Sequence, residues 1–498
     1  MTNTNQLTQS ELESYLWDAA VLLRGLIDAG DYKQYVFPLL FFKRISDVYD
    51  EERAHFVTLY GDEELADLPE NHRFQVPSGA HWNDVRQKST DIGQALGVAM
   101  RAIEAANPDR LSGVFGNAQW TNKERLPDRT LTDLIEHFST QSLSVARLPE
   151  DELGQGYEYL IKKFADDSGH SAQEFYTNRT LVRLMTLMLD PQPGESVYDP
   201  TCGTAGMLVS AATELKRQGK EYRTLRLFGQ ESNHMTSSIA RMNLFLHGVE
   251  DFEIEHADTL AEPRFIDQGS LATFDVVLAN PPYSIKNWDR GAFANDLWGR
   301  NRLGTPPQGR ADYAFLQHIA ASLDPVTGRA AILFPHGVLF RNEEAAMRRA
   351  LIESDLIETV LGLGAGLFYN SPMEAVVLVL RAEKPPARRR KLLFINAANE
   401  FVRSDAQSFL SDDNIRRIHE AYLAFDHMAN FAEVVDIDDI LLAGASLSIP
   451  LYFDGDGSRS AIQPISFADA VSGWDTSSDS ANRAVATALS RLRREARQ

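Results

Sequence analysis

The sequence predicts an α/β protein in which a helical N-terminal domain precedes a mostly parallel sheet and a helical tail follows it. Between about residues 170 and 400, short β-rich runs alternate with helical stretches, as is typical of parallel strands joined by crossover helices. Before residue 165, apolar residues recur at helical spacing. We therefore expect three domains, over residues 1–165, 166–400 and 401–498.

The individual elements follow from the local period of the apolar residues. In the first domain, helical spacing covers residues 16–26, 35–48, 131–138 and 153–164, with irregular turns containing Pro and Gly before the third of these. In the second domain, strands are expected at residues 196–198, 226–229, 252–255, 274–278, 330–334, 357–361, 375–380 and 392–396. Helices are expected at residues 205–216, 237–247, 313–322 and 343–353. The tail should contain a helix over residues 412–425, a polar stretch over 454–480 and a basic helix ending in Arg491, Arg493, Arg494 and Arg497.

Composition excludes several classes of protein. With 498 residues, 44% hydrophobic and 24% charged, the chain can bury a sizeable core. No apolar stretch approaches the roughly 18 to 20 residues that a membrane span needs, and residues 1–11 lack the apolar core of a signal peptide. The single cysteine, Cys202, excludes a disulfide framework and a cysteine-rich metal site. We expect a cytoplasmic protein that binds no metal and no membrane.

The motif with the clearest chemical meaning is Asn280-Pro281-Pro282-Tyr283, which follows an apolar run and so stands at the carboxyl end of a predicted strand. The Asn280 side-chain oxygen and the Pro281 carbonyl can accept both hydrogens of an exocyclic amine, and Tyr283 offers a ring for stacking. Such a site would methylate a planar amino group. A proline-stiffened turn after a strand has the same sequence, so other motifs must decide.

A second motif, Asp-Pro-Thr-Cys-Gly-Thr-Ala-Gly at residues 199–206, follows the first predicted strand and opens a helix. Small residues there let the backbone approach a ligand, while the helix N-terminus presents free N–H groups. A nucleotide-like ligand or an amino-acid carboxylate would fit. The motif matches neither Gly-x-Gly-x-x-Gly nor the triphosphate-binding loop, which makes a dinucleotide or a triphosphate a poor candidate.

Two carboxylates stand at the ends of the next two predicted strands. Glu231 follows the second strand, where a carboxylate can accept hydrogen bonds from ribose hydroxyls, and Asp258 follows the third, where it could meet an adenine amino group. Each residue alone is as compatible with a helix cap or a solvated side chain. Together they favour a ligand bound outside the carboxyl ends of the strands.

The net charge of −21 is unusual for a protein that handles DNA, because phosphate contacts come from Lys and Arg. One segment after Tyr283 is locally basic and aromatic; it contains Lys286, Arg290, Arg300, Arg302 and Arg310, interspersed with Trp288, Phe293 and Trp298. Such a mixture suits a phosphate backbone and a splayed base. A solvated surface loop of mixed charge is the alternative.

In this combination and order, the motifs resemble those of the amino-methyltransferases that use S-adenosylmethionine. Phe175-Tyr176-Thr177 lies before the Asp-Pro loop and Asn-Pro-Pro-Tyr after it, which is similar to the gamma arrangement of N6-adenine DNA methyltransferases. Residues 16–20, 32–50 and 156–160, and Leu-Ser-Ile-Pro at 447–450, extend the likeness to the modification subunit of type I restriction-modification systems. The resemblance implies a Rossmann-like methyltransferase domain.

The resemblance also implies residue roles. Asn280, Pro281 and Tyr283 would hold a flipped adenine for in-line methyl transfer to N6, with no general base required. The S-adenosylmethionine pocket would be lined by Glu174, Phe175, Tyr176, Thr177, Asn178, Arg179, Asp199, Thr204, Ala205, Gly206, Glu231 and Asp258. Two departures concern geometry: Asn178 stands where relatives often have proline, and residues 370–373 lack the Gly-containing turn usual near the target base.

The resemblance further implies partners. The residues after 400 are too few, acidic and helical to read a DNA sequence. A specificity subunit would therefore recognise the double-stranded DNA, two copies of this chain would clasp the duplex, and a restriction subunit would join. The basic C-terminal helix could dock on such a partner.

Four other functions stay open on the residues alone: a stand-alone DNA amino-methyltransferase, a protein glutamine methyltransferase, a catalytically silent scaffold subunit, and methylation of cytosine N4 in place of adenine N6. The segment around Phe175-Tyr176-Thr177 and the helical N-terminal domain count against the glutamine enzyme, and the joint presence of Asn280, Tyr283 and Glu231 counts against the scaffold.

Overall fold

A computed structural model describes residues 7–167, 177–367, 374–404 and 407–453. The folded unit considered below is Met1–Tyr452. The expected polar stretch and basic helix of the tail lie outside the described residues, as do Glu174, Phe175, Tyr176 and the turn at 370–373.

Helices occupy most of the first 167 residues and recur between the strands. In chain order they are α1 (Gln9–Val21), α2 (Lys33–Tyr60), α3 (Glu63–Ala66), α4 (Trp82–Arg86), α5 (Ile92–Ala106), α6 (Pro108–Leu111), α7 (Asp128–Ser139), α8 (Glu150–Asp167), α9 (Arg179–Leu189), α10 (Gly206–Arg217), α11 (His234–Leu246), α12 (Arg290–Ala294), α13 (Asp312–Ala321), α14 (Ala345–Glu353), α15 (Asp412–Ala424) and α16 (Ile437–Leu442). The expected helical N-terminal region is thus confirmed.

The strands include all eight that the sequence predicts. They are β1 (Ser196–Asp199), β2 (Arg226–Glu231), β3 (Phe252–His256), β4 (Ile266–Asp267), β5 (Ser270–Leu271), β6 (Val276–Ala279), β7 (Arg329–Pro335), β8 (Ile357–Leu363), β9 (Ala375–Arg381), β10 (Lys391–Ala397), β11 (Val402–Ser404), β12 (Gln407–Phe409) and β13 (Ala432–Asp436). Two pairs, β4 with β5 and β11 with β12, form separate two-stranded sheets.

The remaining nine strands form one sheet in the order β13-β10-β8-β9-β7-β6-β1-β2-β3. Neighbours from β3 to β7 are parallel, whereas β9 runs antiparallel between β7 and β8, and β13 is antiparallel to β10. From β1 the chain moves outward to β2 and β3, then returns to place β6 on the other side of β1. The carboxyl ends of β1 and β6 therefore meet where the winding direction reverses, and such sheets bind ligands at that point.

The helical region and the sheet domain share a hydrophobic core. Ile239, Met242 and Phe245 of α11 are buried among side chains of α2 and α8, including Phe41 and Tyr157. The Phe41 and Phe245 rings stack with centroids 5.9 Å apart. Because α11 also packs on β2 and β3, burial of this shared surface ties the helical region to the sheet.

Several observed elements, including the short strands β4, β5, β11 and β12, are not among those expected, and two further differences have a clear physical reason. The stretch that forms α5 is expected to consist of turns, since Gly93 and Gly97 interrupt its apolar pattern. Gly93 is needed because a Cβ there would lie 1.9 Å from the Trp120 carbonyl oxygen. In the expected helical tail, Ala432–Asp436 forms an edge strand on β10. Its pattern is weak because one face of an edge strand is open to solvent.

No helix in the described ranges combines the length and the apolarity that crossing a bilayer would require.

Substitutions at the two α5 glycines should have opposite effects. Gly93→Ala should lower the free energy of unfolding by about 1–3 kcal/mol, because the added methyl group meets backbone that cannot move away. Gly97→Ala meets only the flexible end of Arg101 at 3.2 Å and should raise stability by up to about 1 kcal/mol through helix propensity. Urea unfolding followed by circular dichroism measures both, and equal effects would contradict the packing argument.

Candidate functional site

A cleft opens where β1 and β6 end side by side. Asp199 is the last residue of β1, and Asn280 directly follows β6. The cleft and its open mouth together span about 340 Å³, and the lining residues are Thr177, Arg179, Asp199, Thr201, Cys202, Gly203, Thr204, Gly206, Met207 and Asn280. The structure thus brings residues from three separate predicted motifs to one surface.

The loop between β1 and α10 is held in shape by its own backbone and by β2. The Asp199 carboxylate accepts from Thr201 N at 3.0 Å, and Cys202 N donates to the Gln230 carbonyl at 3.0 Å. Gly203 and Ala205 both have a left-handed backbone, with φ of 53° and 62°. For Ala205 this conformation is costly, and such strain is concentrated at functional sites. Ala205 is buried and shapes the loop without itself lining the cleft.

Glu231 joins this loop from the end of β2. Its carboxylate accepts from Gly203 N at 3.1 Å and from Asn233 N at 2.7 Å, and it is half-buried. Asp258 lies farther away: it is exposed beyond β3, and its carboxylate accepts from Leu260 N at 2.9 Å and from Ala261 N at 3.2 Å. The structure therefore brings Glu231 to the loop between β1 and α10, whereas Asp258 caps a turn outside the cleft lining.

Arg179 at the start of α9 lies across the first turn of α10. A Cβ at Gly206 would be 1.8 Å from its guanidinium, so only glycine permits this approach. The guanidinium pairs with Glu158, which α8 supplies from the helical region. The other Glu158 oxygen accepts from Asn243 Nδ2 at 2.8 Å, and the same Asn243 nitrogen donates to the Thr204 carbonyl at 2.8 Å. One carboxylate therefore connects the helical region to the start of α9 and to the loop between β1 and α10.

Asn178 caps α9 where relatives often have proline. Its side-chain oxygen accepts from Thr180 N at 3.0 Å, and its Nδ2 donates to the Ser408 carbonyl at 2.9 Å. The side chain is buried. Asparagine thus replaces the fixed backbone angle of proline with a cap and a tertiary hydrogen bond.

The Asn-Pro-Pro-Tyr turn forms the opposite wall of the cleft. Asn280 Nδ2 donates to Thr177 Oγ1 at 3.0 Å, and the Tyr283 hydroxyl donates to Asn280 Oδ1. Pro281 is buried, while Asn280 and Tyr283 are half-buried. Burial raises the pKa of the Tyr283 phenol well above its usual range, so this group stays protonated and able to donate.

The basic and aromatic segment after Tyr283 corrects one expectation. Arg300 is 2% exposed; it pairs with Asp296 and donates to the carbonyls of Thr259 and Leu260, both at 2.9 Å. Trp288 and Phe293 are also buried. These three side chains hold the segment together and cannot meet a nucleic acid, because an ion pair and apolar packing have removed them from the surface. Lys286, Arg290 and Arg302 are exposed, and Arg310 is half-buried.

Sequence reasoning missed several residues that shape the site. Glu158 lies in the segment 156–160, whose sequence indicates family resemblance but no role in the site. No motif or local pattern points to Asn243. In the described part of the chain, no group of three or more His, Cys, Asp and Glu side chains could hold a metal ion.

Comparison with protein families gives two matches. The model described as N-6 DNA Methylase matches residues 149–460, and that of the HsdM N-terminal domain matches residues 12–138. The methylase subunit of the type I restriction enzyme MjaIX from Methanocaldococcus jannaschii is 30% identical, over 89% of this chain and 84% of that protein. The MpnII methylase subunit from Mycoplasma pneumoniae is 28% identical, over 90% of each chain.

Solved structures agree with these matches. The type I restriction-modification methyltransferase subunit from Streptococcus thermophilus is 31% identical and superposes with a TM-score of 0.79, over 90% of this chain and 100% of that one. A modification subunit of a type I restriction enzyme from Vibrio vulnificus, 20% identical with a TM-score of 0.68 over 88% and 94% of the two chains, shares the fold.

The buried Asp199 predicts a specific pH dependence of stability. Burial raises its pKa to about 8, whereas an unfolded chain releases the proton near pH 4. Between these values the folded state binds a proton that the unfolded state lacks, so the contribution of Asp199 to stability falls as pH rises, by up to about 1.4 kcal/mol per pH unit. The stability of Asp199→Asn relative to the unsubstituted chain should therefore increase from pH 4 to pH 8 and level off above.

Urea unfolding of the ligand-free protein at several pH values measures this difference. Asp275→Asn is the control of opposite sign, because the pKa of Asp275 is lowered: burial is outweighed by hydrogen bonds from Ser196 and Thr327. Its substitution should cost more stability at neutral pH than at pH 3. A pH-independent difference for Asp199→Asn would contradict the buried protonated state.

Proposed function

The chain belongs to the N-6 DNA methylases as a type I restriction-modification methylase subunit, and from this premise we propose which residues, cofactor and partners carry out its reaction. It is an adenine-specific DNA methyltransferase and the modification subunit of its system. The observation that carries the proposal is the meeting of the loop after Asp199 with the turn at Asn280 in one cleft.

We assign S-adenosylmethionine to the side of the cleft formed by the loop after β1. Its amino-acid head carries an ammonium and a carboxylate, which suit the Asp199 carboxyl and the Arg179 guanidinium that line the cleft. Glu231, beside Gly203, is placed to accept from ribose hydroxyls. Thr177 lines this side, and we extend the assignment to Asn178 and, outside the described residues, to Glu174, Phe175 and Tyr176. Ala205 and Gly206 shape the loop, and Asp258 has at most a peripheral role.

The target adenine occupies the opposite side. Asn280 Oδ1 and the Pro281 carbonyl would accept the two N6 hydrogens, and the Tyr283 ring would stack on the base. Since the Tyr283 hydroxyl donates to Asn280 Oδ1 in this structure, the entering amine must displace it. Extrusion of the base from the duplex costs a few kcal/mol, which stacking offsets.

The bound cofactor supplies an electrophilic methyl group on a sulfonium. Asn280 and Pro281 would orient the N6 lone pair toward the methyl group that the cofactor would supply, and the methylated amine would release its proton to water. Alignment of this kind is worth on the order of 7–11 kcal/mol of the barrier. No general base is required.

Double-stranded DNA is the substrate, and its recognition is assigned to partners. The relatives are subunits of type I restriction enzymes. We propose a specificity subunit that reads the sequence, a second copy of this chain and a restriction subunit. A net charge of −21 and the burial of Arg300 leave this chain little positive surface for gripping the backbone alone. We also propose a cytoplasmic location, which fits activity on cellular DNA.

Substitutions in the Asn-Pro-Pro-Tyr turn test the proposed function. Asn280→Ala should reduce methyl transfer to unmethylated genomic DNA by about 10²–10³-fold, because the N6 amine loses its acceptor. Binding of S-adenosylmethionine should change by less than about threefold. Tyr283→Phe keeps the stacking ring and should stay active, while Tyr283→Ala should not.

The assay follows the labelled methyl group from S-adenosylmethionine, with the chain reconstituted with its specificity subunit. Full transfer by Asn280→Ala would refute the assigned role. Transfer by the unsubstituted chain to a protein glutamine instead of DNA would favour the glutamine enzyme, and absence of any transfer would favour the scaffold.

The Glu158 contacts predict an effect on cofactor binding from the helical region. Glu158→Gln removes the charge that holds Arg179 in place, so the Kd for S-adenosylmethionine should rise about tenfold, equivalent to ~1.4 kcal/mol. Asp151→Asn is the matched control: it lies on the same helix and pairs with Lys216 of α10 at 2.6 Å, but on the exposed surface. Calorimetric titration should show no change for the control. If Glu158→Gln and Asp151→Asn raised the Kd equally, both increases would be due to general destabilisation of the protein.

A further inference from the structure

A buried carboxylate, that of Asp312, accepts a hydrogen bond from the backbone directly after the Asn-Pro-Pro-Tyr turn. Ser284, which follows Tyr283, has a left-handed backbone with φ of 51°, and its N–H donates to Asp312 Oδ1 at 2.8 Å. Asp312 is the first residue of α13 and is 1% exposed. Because Pro281 and Pro282 have no N–H, this stretch offers few backbone donors, and a side-chain acceptor is a way to fix it.

An arginine holds this carboxylate in place. Arg341 Nη1 donates to the other Asp312 oxygen at 2.6 Å and lies 3.3 Å from Glu344 Oε1. The side chains of Asp312 and Glu344 are both fully buried. Two carboxylates around one guanidinium are costly to desolvate, and apolar residues of equal volume would commonly give similar stability. Stability alone is therefore a weak explanation for this arrangement.

The support extends to the C-terminal Leu-Ser-Ile-Pro motif. Arg348 of α14 donates to the Arg341 carbonyl at 3.0 Å and, through Nε, to the Ala445 carbonyl at 2.8 Å. Leu447 N donates to the Leu339 carbonyl at 2.9 Å, just ahead of Arg341. Residues 445–449 thus lie at the far end of a hydrogen-bonded chain that begins at Ser284.

We propose that Asp312, Arg341 and Arg348 are positioning residues for methyl transfer, which hold the Asn-Pro-Pro-Tyr turn in register with the cofactor, and that the C-terminal motif completes this support. The proposal rests on the proposed function and adds residues that touch neither base nor cofactor. A displacement of the turn by about 1 Å is enough to cost on the order of 10²-fold in rate, whereas the cofactor loop on the other wall should be unaffected.

The experiment compares arginines at the two ends of β7, of which Arg329 and Arg348 are buried and Arg341 is half-buried. Arg341 and Arg348, which lie beyond the carboxyl end of β7, are each replaced in the variants Arg341→Met and Arg348→Met. Arg329→Met is the matched control at its amino end, where Arg329 is buried, donates to the Leu189 carbonyl at 2.6 Å and pairs with Glu195 at 2.8 Å. The full-length chain, reconstituted with its specificity subunit, is assayed for kcat, for KM of S-adenosylmethionine and for Tm.

We expect kcat to fall about 10–100-fold in Arg341→Met and less in Arg348→Met, with the KM of S-adenosylmethionine unchanged within about twofold. Arg329→Met should lose a comparable amount of Tm and keep its kcat. Asp312→Asn can still accept from Ser284 but loses the charge that faces Arg341. Its kcat should therefore lie between those of the unsubstituted chain and Arg341→Met. If Arg341→Met does not fold, Arg348→Lys and Asp312→Asn carry the comparison. The proposal is overturned if kcat falls in proportion to the loss of Tm in Arg329→Met just as it does in Arg341→Met and Arg348→Met.

Hydrogen exchange provides a readout that does not depend on activity. Amides of the peptide containing residues 280–284 should exchange faster in Arg341→Met than in the unsubstituted chain, and at an unchanged rate in Arg329→Met. Unchanged exchange in Arg341→Met also overturns the proposal. If the unsubstituted chain methylates no DNA, the proposed function fails, while the exchange data still decide whether these residues hold the turn.

Discussion

The parallel pairing of β1 with β6, on either side of the reversal in winding, is the constraint on which the rest of the site depends. Val197 pairs with Val276 and Tyr198 with Val277, so the two strands end at the same level. Asp199 and Asn280, 81 positions apart in the sequence, therefore line one cleft. Neither motif forms a site alone; the sheet places a loop suited to a nucleotide-like ligand opposite a turn suited to a flat amine.

Each wall of the cleft is supported by a different end of the chain. The cofactor wall depends on the helical region, since Glu158 holds Arg179 and, through Asn243, the Thr204 carbonyl. The shared core of α2, α8 and α11 makes that support rigid. The base wall depends on Asp312 and Arg341, which lie in the connections after β6 and β7, and through Arg348 on residues 445–449 near the end of the folded unit. The regions that flank the sheet are therefore part of the site.

Several arginine side chains hold parts of the protein together from the inside. Arg300, Arg329, Arg341 and Arg348 each pair with carboxylates or carbonyls inside the protein. A guanidinium can satisfy several carbonyl and carboxylate acceptors at once, which suits it to joining loops that have no regular backbone pairing. These internal contacts leave few arginines for the surface. They agree with the proposal that another subunit contacts most of the DNA phosphates.

The sequence by itself determined the α/β class, all eight predicted strands and the motifs at the ends of β1 and β6, because alternating apolar runs and turn residues are local signals. It could not reveal α5, where Gly93, which permits close packing on residue 120, and Gly97 conceal the helical pattern, or the edge strand β13. Only the tertiary structure decided that Arg300 is internal, that Asp258 caps a turn, and that Glu158 and Asp312 support the two walls. These properties depend on contacts between residues far apart in the chain, and local patterns of polarity do not encode them.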